Sequence, residues 1–479
     1  MRQTVLSVTL EVKPESAVRL SGLIDALHDR AGKGGPTQSD YGWFMQAVPA
    51  VHFLSMNLFP SAEYDPVFVL EANFDGAPSP FWQDLETAIG ADLRAMLSCC
   101  KQPLDETGAL FAAVTAPGSN AAIAPYMEAR TAQPSVFHMG NRGMTRDRIV
   151  AERGLFLAIR DELATAQGGS ANPYRGIEAD AVHARLRDAM IGRFAWLDEK
   201  APVRVSLGET IVDWLRLIGF VAAALLVLAV PGLCAALFAI AIRAFGTATP
   251  LASPSHIALL FVLAGVAGVI VSLGIILFWV RYLERRDSSH DAPPIDPELL
   301  RQMVQREDWI PQNHMGSIVL LKPGALRTLI VHAGHHALHL ALRAIPTSGR
   351  DGYLGSMRTV HFAHWAFVNN GGRLMFFSNF DQSWESYLDD FIEKAHVGLT
   401  LAWGCGVGFP PTRYLIADGA SYGTRFKNWA RHSMTVSRFW YSAYPDLTVD
   451  QVERNNRIAN ALRKPKLTPK EAAAWIDDL

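Results

Sequence analysis

Four histidines, His332, His335, His336 and His339, fall at i, i+3, i+4 and i+7 of a helix-like segment and so project from one side of it. Neutral imidazoles one turn apart can share a metal ion, and any one of them can serve as an axial haem ligand. All four are therefore candidate metal ligands, with His332 and His336 the candidate cofactor ligands. They lie away from a stripe of Leu326, Leu329, Ile330, Ala333, Ala337 and Ala341. With no acidic or cysteine partner nearby, a polar or interfacial helix face is the competing account.

His361, Asp381 and Asn379 are the candidate catalytic residues. A histidine hydrogen-bonded to an aspartate loop makes a carboxylate–imidazole pair able to move protons. The competing accounts are a core histidine satisfied by backbone and an aspartate that caps the helix following it. Trp365 and Trp384 belong to an aromatic surplus that could line a pocket for a flat or long apolar ligand such as haem, quinone or lipid. Cys405 lies in Gly404-Cys405-Gly406-Val407-Gly408-Phe409-Pro410-Pro411, which leads into prolines instead of a helix and so lacks the context of a dinucleotide fingerprint. Arg425, Lys427 and Arg431 sit near helical spacing, facing phosphates or solvent. No HExxH pattern appears.

The elements that position these residues are duplicated. Ser7-Val8-Thr9-Leu10 with Lys13-Pro14 corresponds to Ser317-Ile318-Val319-Leu320 with Lys322-Pro323, and Val51-His52-Phe53 to Val360-His361-Phe362. Asn73-Phe74-Asp75 corresponds to Asn379-Phe380-Asp381, and Met144-Thr145 to Leu447-Thr448. The order is conserved and the spacings nearly so, 45 positions from Ser7 to His52 against 44 from Ser317 to His361. Alternation predicts strands over 4–12, 51–59 and 67–72, and over 316–321, 359–367 and 373–378, with the last pair turning at Asn369-Asn370-Gly371-Gly372. Helical periodicity covers 81–96 and 384–394. The order strand, helix, strand, strand, helix, strand is that of a ferredoxin-like βαββαβ unit.

Two such units in one chain resemble the dimeric α+β barrel superfamily, whose members include dye-decolourising peroxidases and chlorite dismutase-like haem proteins. The peroxidases carry a GxxDG motif with a catalytic aspartate; the nearest segment is Ala72-Asn73-Phe74-Asp75-Gly76, with alanine for the first glycine. Ser378-Asn379-Phe380-Asp381-Gln382 keeps the aspartate alone, and no position matches that family's axial histidine or distal arginine. The resemblance implies an α+β fold in which the repeats form an intramolecular barrel, with haem as cofactor and peroxidase-like activity.

Between the repeats, 217–242 and 257–280 contain no charged residue, and each is long enough for a helix to cross a bilayer. Pro231 and Gly232 interrupt the first run; Ala264 and Gly268 give the second a small-xxx-small pair. Lys200, Arg204 and Arg216 precede the first run and Arg281, Arg285 and Arg286 follow the second, against Arg243 alone on the connector side, which predicts that both flanks are cytoplasmic. The start of the chain alternates like a strand and has no apolar leader core, so a secretory signal is not expected.

The 479 residues, 49% hydrophobic and 19% charged with net charge −2, exclude a disordered or nucleic-acid-binding chain, and four scattered cysteines give no disulfide framework. The expected organisation is a first repeat at 1–205, a transmembrane hairpin at 206–286 and a second repeat at 287–479, the richer one in candidate chemistry. Two functions fit: a membrane-anchored haem-dependent or other redox enzyme acting on peroxide or an apolar membrane-derived substrate, and a non-catalytic scaffold that holds a lipid or partner at the inner membrane surface.

Overall fold

The computed structural model describes residues 2–31, 42–61, 64–168, 172–246, 253–287, 295–345 and 357–479. The chain is a mixed α+β protein with antiparallel sheets and two long apolar helices. The first half runs β1 (Gln3–Glu11), helix Ala17–Ala31, β2 (Val51–Phe59), β3 (Val67–Asp75), helix Pro78–Ser98, β4 (Thr131–Ala132), β5 (Pro134–Met139) and helix Arg146–Gly168. The second runs β6 (Gln312–Leu320), helix Ala325–Ala344, β7 (Val360–Val368), β8 (Arg373–Asp381), helix Trp384–Trp403, a small pair β9 (Thr412–Arg413) and β10 (Ala417–Asp418), then β11 (Ser437–Ser442) and helix Val449–Arg463. The β7–β8 turn falls where the Asn-Asn-Gly-Gly run predicts, with Asn369, Asn370 and Gly371 all at positive φ.

The halves share their sheets. The strand orders are β11-β2-β3-β1-β4 and β5-β7-β8-β6, so the last strand of each half ends on the second strand of the other. Each also begins at home: β4 pairs with β1 just before β5 departs, and Met434 bridges to Ser317 of β6 just before β11 departs. The two sheets are thus linked by the exchanged strands and by these short pairings.

Alternation along each strand sorts its residues. In β3, Phe68, Leu70, Ala72 and Phe74 pack with the helices of the first half, whereas Val67 and Val69 meet Ala366, Val368, Met375 and Phe377 of the other sheet. The register corrects one alignment. Gln3 lies opposite Asp75 and Gln312 opposite Asp381, so Gln3 corresponds to Gln312 and Ser7 to Gly316, one residue away from the Ser7–Ser317 match. A slip of one exchanges the two faces of a strand. The helices Arg146–Gly168 and Val449–Arg463 share a separate apolar cluster that includes Leu155, Ile159, Ile458 and Leu462.

The two apolar helices, Leu207–Gly246 and Pro254–Glu284, are long and apolar enough to cross a membrane, and their apolar stretches are largely uncovered by the rest of the chain. Pro231 sits inside the first without ending it. Their backbones touch: a Cβ on Gly232 would fall 1.8 Å from the Ala264 carbonyl oxygen, and one on Gly268 2.6 Å from that of Ala229. The Ser272 hydroxyl adds a hydrogen bond to the Leu228 carbonyl at 2.8 Å. Gly232→Leu is therefore expected to splay the hairpin. Cysteines at 229 and 265, whose Cβ atoms would lie 3.9 Å apart, should form a disulfide in a Cys234→Ala background and lose it when Gly232→Leu is added. Undiminished crosslinking would show that the close approach is not needed.

Candidate functional site

The duplicated histidines and aspartates meet, and they do so twice. His361 Nε2 lies 2.8 Å from Asp381 Oδ1, and Asp381 Oδ2 accepts the backbone N–H of Val449, the first residue of helix Val449–Arg463, at 2.7 Å. In the first half His52 Nε2 lies 3.2 Å from Asp75 Oδ1, and Asp75 Oδ2 accepts the N–H of Arg146, the first residue of helix Arg146–Gly168, at 2.7 Å. The aspartates do serve a helix N-terminus, but not that of the helix following each in sequence; Ser383 caps the helix beginning at Trp384. The carboxylate meets the positive end of a helix some seventy residues downstream.

Glutamines complete each arrangement. Gln312 Nε2 donates to the carbonyls of Leu447 (2.5 Å) and Tyr444 (3.0 Å), and Gln3 Nε2 to those of Met144 (2.8 Å) and Asn141 (3.3 Å). Both halves thus tie the segment leading into their last helix with the same three residue types. The copies differ at Tyr444 and Asn141. Tyr444 places its hydroxyl 2.9 Å from His52 Nδ1, while its counterpart Asn141 turns to Glu453 at 2.7 Å. Burial pushes the ionisation of Tyr444 well above its ordinary value.

All four side chains are buried, and the pairs differ in contact: His361 is hydrogen-bonded to Asp381, whereas His52 Nε2 and Asp75 Oδ1 make no hydrogen bond among the described residues. The third catalytic candidate, Asn379, is also enclosed; its Oδ1 accepts from Trp440 Nε1 at 2.9 Å and its Nδ2 has no hydrogen-bond partner among the described residues.

A second polar group lies between the sheets, on the β3 face that also carries Val67 and Val69. Glu71 is fully enclosed, bonded by Asn73 and by Ser55 (3.3 Å), and burial raises its carboxyl to about 8. His364 Nε2 is 2.8 Å from Ser7 Oγ and its Nδ1 3.9 Å from Glu71 Oε1; His314 Nδ1 is 2.6 Å from Ser437 Oγ. Burial lowers both histidines to about 3, holding them neutral. His314 and Ser437 line a cavity of about 20 Å³, room for one water. Glu71, His314 and His364 are not among the candidates that residue spacing singles out. A signal was present, since Glu71, Asn73 and Asp75 alternate with Leu70, Ala72 and Phe74 and so share one face.

The histidine helix Ala325–Ala344 does not present its rings together. His335 is buried, with Nδ1 2.8 Å from Ser135 Oγ and Nε2 3.1 Å from the Ala402 carbonyl, so neither nitrogen keeps a lone pair for a metal. His339 Nδ1 accepts the N–H of Phe137 at 3.3 Å. His332 stacks on Phe367 and His336 meets the edge of Phe220 on the first apolar helix. Among the described residues no group of three or more histidine, cysteine, aspartate or glutamate side chains could hold a metal. The apolar stripe is also not the buried one: Val331, His335 and Leu340 face inward, and Leu329 is 66% exposed. The helix takes this orientation because it packs beside the hairpin as well as the sheet.

Other candidates are likewise committed. Trp365 packs on Phe376 and Trp403, and Trp384 lies beneath the Arg431 guanidinium at 3.6 Å. Arg431 is paired with Glu307, and Lys427 with Glu385 and Asp389, so neither is arranged for a phosphate. Burial raises the Cys405 thiol to about 11, which removes it as a reactive thiolate. The cleft of about 360 Å³ lined by Asp25, Gln302, Gln305, Arg306 and Arg438 contains none of the candidates.

The α+β body is clamped to both apolar helices. Asp213, six residues into the first beyond Leu207, is buried and bonded by Arg142 Nη2 (2.8 Å) and Arg343 Nε (3.0 Å), one from each half. Glu284, which ends the second, accepts from Thr412 Oγ1 (2.8 Å), Leu415 N (2.9 Å) and Tyr414 N (3.0 Å). The chain matches no family model, no curated protein and no solved structure.

Proposed function

We propose that this protein is a membrane-anchored scaffold that holds a lipid or partner at the cytoplasmic face of the membrane. The hairpin crosses the bilayer, and the excess of basic residues at its Arg216 and Arg285 ends keeps both flanks in the cytoplasm. The two halves are ferredoxin-like repeats closed into an intramolecular dimeric α+β barrel, a reading supported by the exchange of last strands. The observation that carries the functional reading is the double clamp through Asp213 and Glu284, which fixes a folded body against the ends of the apolar helices. A flexible tether would suffice for an enzyme that only needed anchoring.

A haem-dependent or other redox enzyme fits the residues less well. The His–Asp pairs are occupied at helix N-termini in both halves alike, and the histidine helix divides its rings among Ser135, Phe137, Phe367 and Phe220. An absorption spectrum, metal content and phospholipid content of the full chain purified in detergent with haem supplied test the choice. Retained phospholipid with no Soret band is the expected result. A Soret band with stoichiometric iron overturns it.

A further inference from the structure

We propose that the loop 407–422, with the outer face of the helix Ala325–Ala344, forms a second membrane-contacting surface that enters the cytoplasmic leaflet beside the hairpin and is occupied by anionic phospholipid; this rests on the hairpin spanning the bilayer. The level of the loop is set by its attachments. Leu415 is buried in one cluster with Val280, Val331 and Cys405, with Ile276 packed against it, so the loop reaches the apolar part of the second helix. Glu284, which accepts the N–H groups of Tyr414 and Leu415, lies four residues past Val280, or about 6 Å along a helix axis. That places the loop at the depth of the lipid headgroups.

What the loop exposes at that depth is apolar and aromatic. Tyr414 and Leu415 are consecutive non-glycine residues in the left-handed region, both at φ 58°. This backbone turns Leu415 inward while leaving Tyr414 42% and Ile416 48% exposed. Val407 and Tyr422 extend the exposed apolar surface of the loop, and Leu329 contributes from the histidine helix, whose His336 ring touches Phe220 of the first apolar helix. Tyrosine beside aliphatic side chains is the composition of a membrane interface belt. Exposed Arg285, Arg286 and Arg413 stand close by in the chain, Arg286 over the Tyr282 ring and Arg413 paired with Asp418 at 3.4 Å. Exposed Arg285 and Arg286 at the end of the second apolar helix favour an anionic leaflet over a neutral one.

The test uses the full chain with Cys234→Ala, reconstituted in bilayers of phosphatidylcholine with or without phosphatidylglycerol; Cys99, Cys100 and Cys405 are buried and do not label. An environment-sensitive fluorophore is placed at Tyr414→Cys, at Ile416→Cys and, within the hairpin, at Val266→Cys. Lipids bearing a headgroup nitroxide are expected to quench the two loop probes, more strongly when phosphatidylglycerol is present, and aqueous iodide to quench them severalfold less than in detergent-free denatured chain. A hairpin probe quenched by acyl-chain nitroxide together with loop probes open to iodide overturns the inference alone and leaves a protein partner as the occupant of the patch. A hairpin probe open to iodide overturns the membrane-spanning reading and the inference with it.

Discussion

Lowering the pH from 7 to 5 is expected to destabilise the folded protein by several kcal/mol, and the loss traces to histidines enclosed without charge. Burial lowers His138, His314 and His364 to about 3, against about 6.5 in an unfolded chain. Between those values the unfolded state binds protons that the folded state refuses, so stability is present above the unfolded value and is lost as pH falls through 6.5 toward 3. Linkage gives roughly 2 kcal/mol per histidine between pH 7 and 5. Glu71 acts in the opposite direction. Its folded carboxyl titrates near 8 and its unfolded one near 4.5, so the folded state holds the extra proton and gains about 2 kcal/mol over the same descent. Three histidines against one glutamate leave a net loss. Denaturation of the full chain in mild detergent at stepped pH measures it, and stability that is flat or rising from pH 7 to 5 would contradict the enclosure of these rings. Glu71→Gln isolates the opposing member: the variant should be the more stable protein at pH 8, with the difference closing toward pH 4.5.

Asp381→Ala and Asp75→Ala are expected to destabilise the protein by similar amounts, on the order of 3–5 kcal/mol each, because each strands a helix-initiating N–H and removes the carboxylate beside a buried imidazole. The comparison is more informative than either value. Equal losses mean that the two halves use the pair for the same purpose, to hold the helices Val449–Arg463 and Arg146–Gly168 against their sheets. Asparagine at the same positions keeps an acceptor for the N–H and should recover part of the loss. A loss confined to one half, measured by the same denaturation, would show that the copies have diverged in role.

The two apolar helices and the meeting of histidine with aspartate were legible because each leaves a local mark. Uncharged runs identify the two long helices, and the triplets around His52, His361, Asp75 and Asp381 recur with matching spacing. The contact between each histidine and its aspartate follows from those triplets once neighbouring strands are paired. Gln3 and Gln312 were missed because a repeated serine suggested a register one residue away, which sets Gln3 against Asn313. The face of the histidine helix was misread since Leu329 and Ala333 look like core residues until the hairpin is placed beside them. The exchange of β5 and β11 had no local sign at all, because an edge strand carries the same alternation whichever neighbour receives it.

That exchange sets an order of events during synthesis. β2 waits for β11, whose flanking Thr435 meets the Leu58 carbonyl across 377 positions of chain. Throughout that interval, which includes emergence of the hairpin, one edge of the first sheet is open and competent to pair with another molecule. Native closure depends on contacts of very large sequence separation and is correspondingly slow. The newborn first half is therefore the aggregation-prone stage in the life of this chain, and the arrival of its last strands is what ends it.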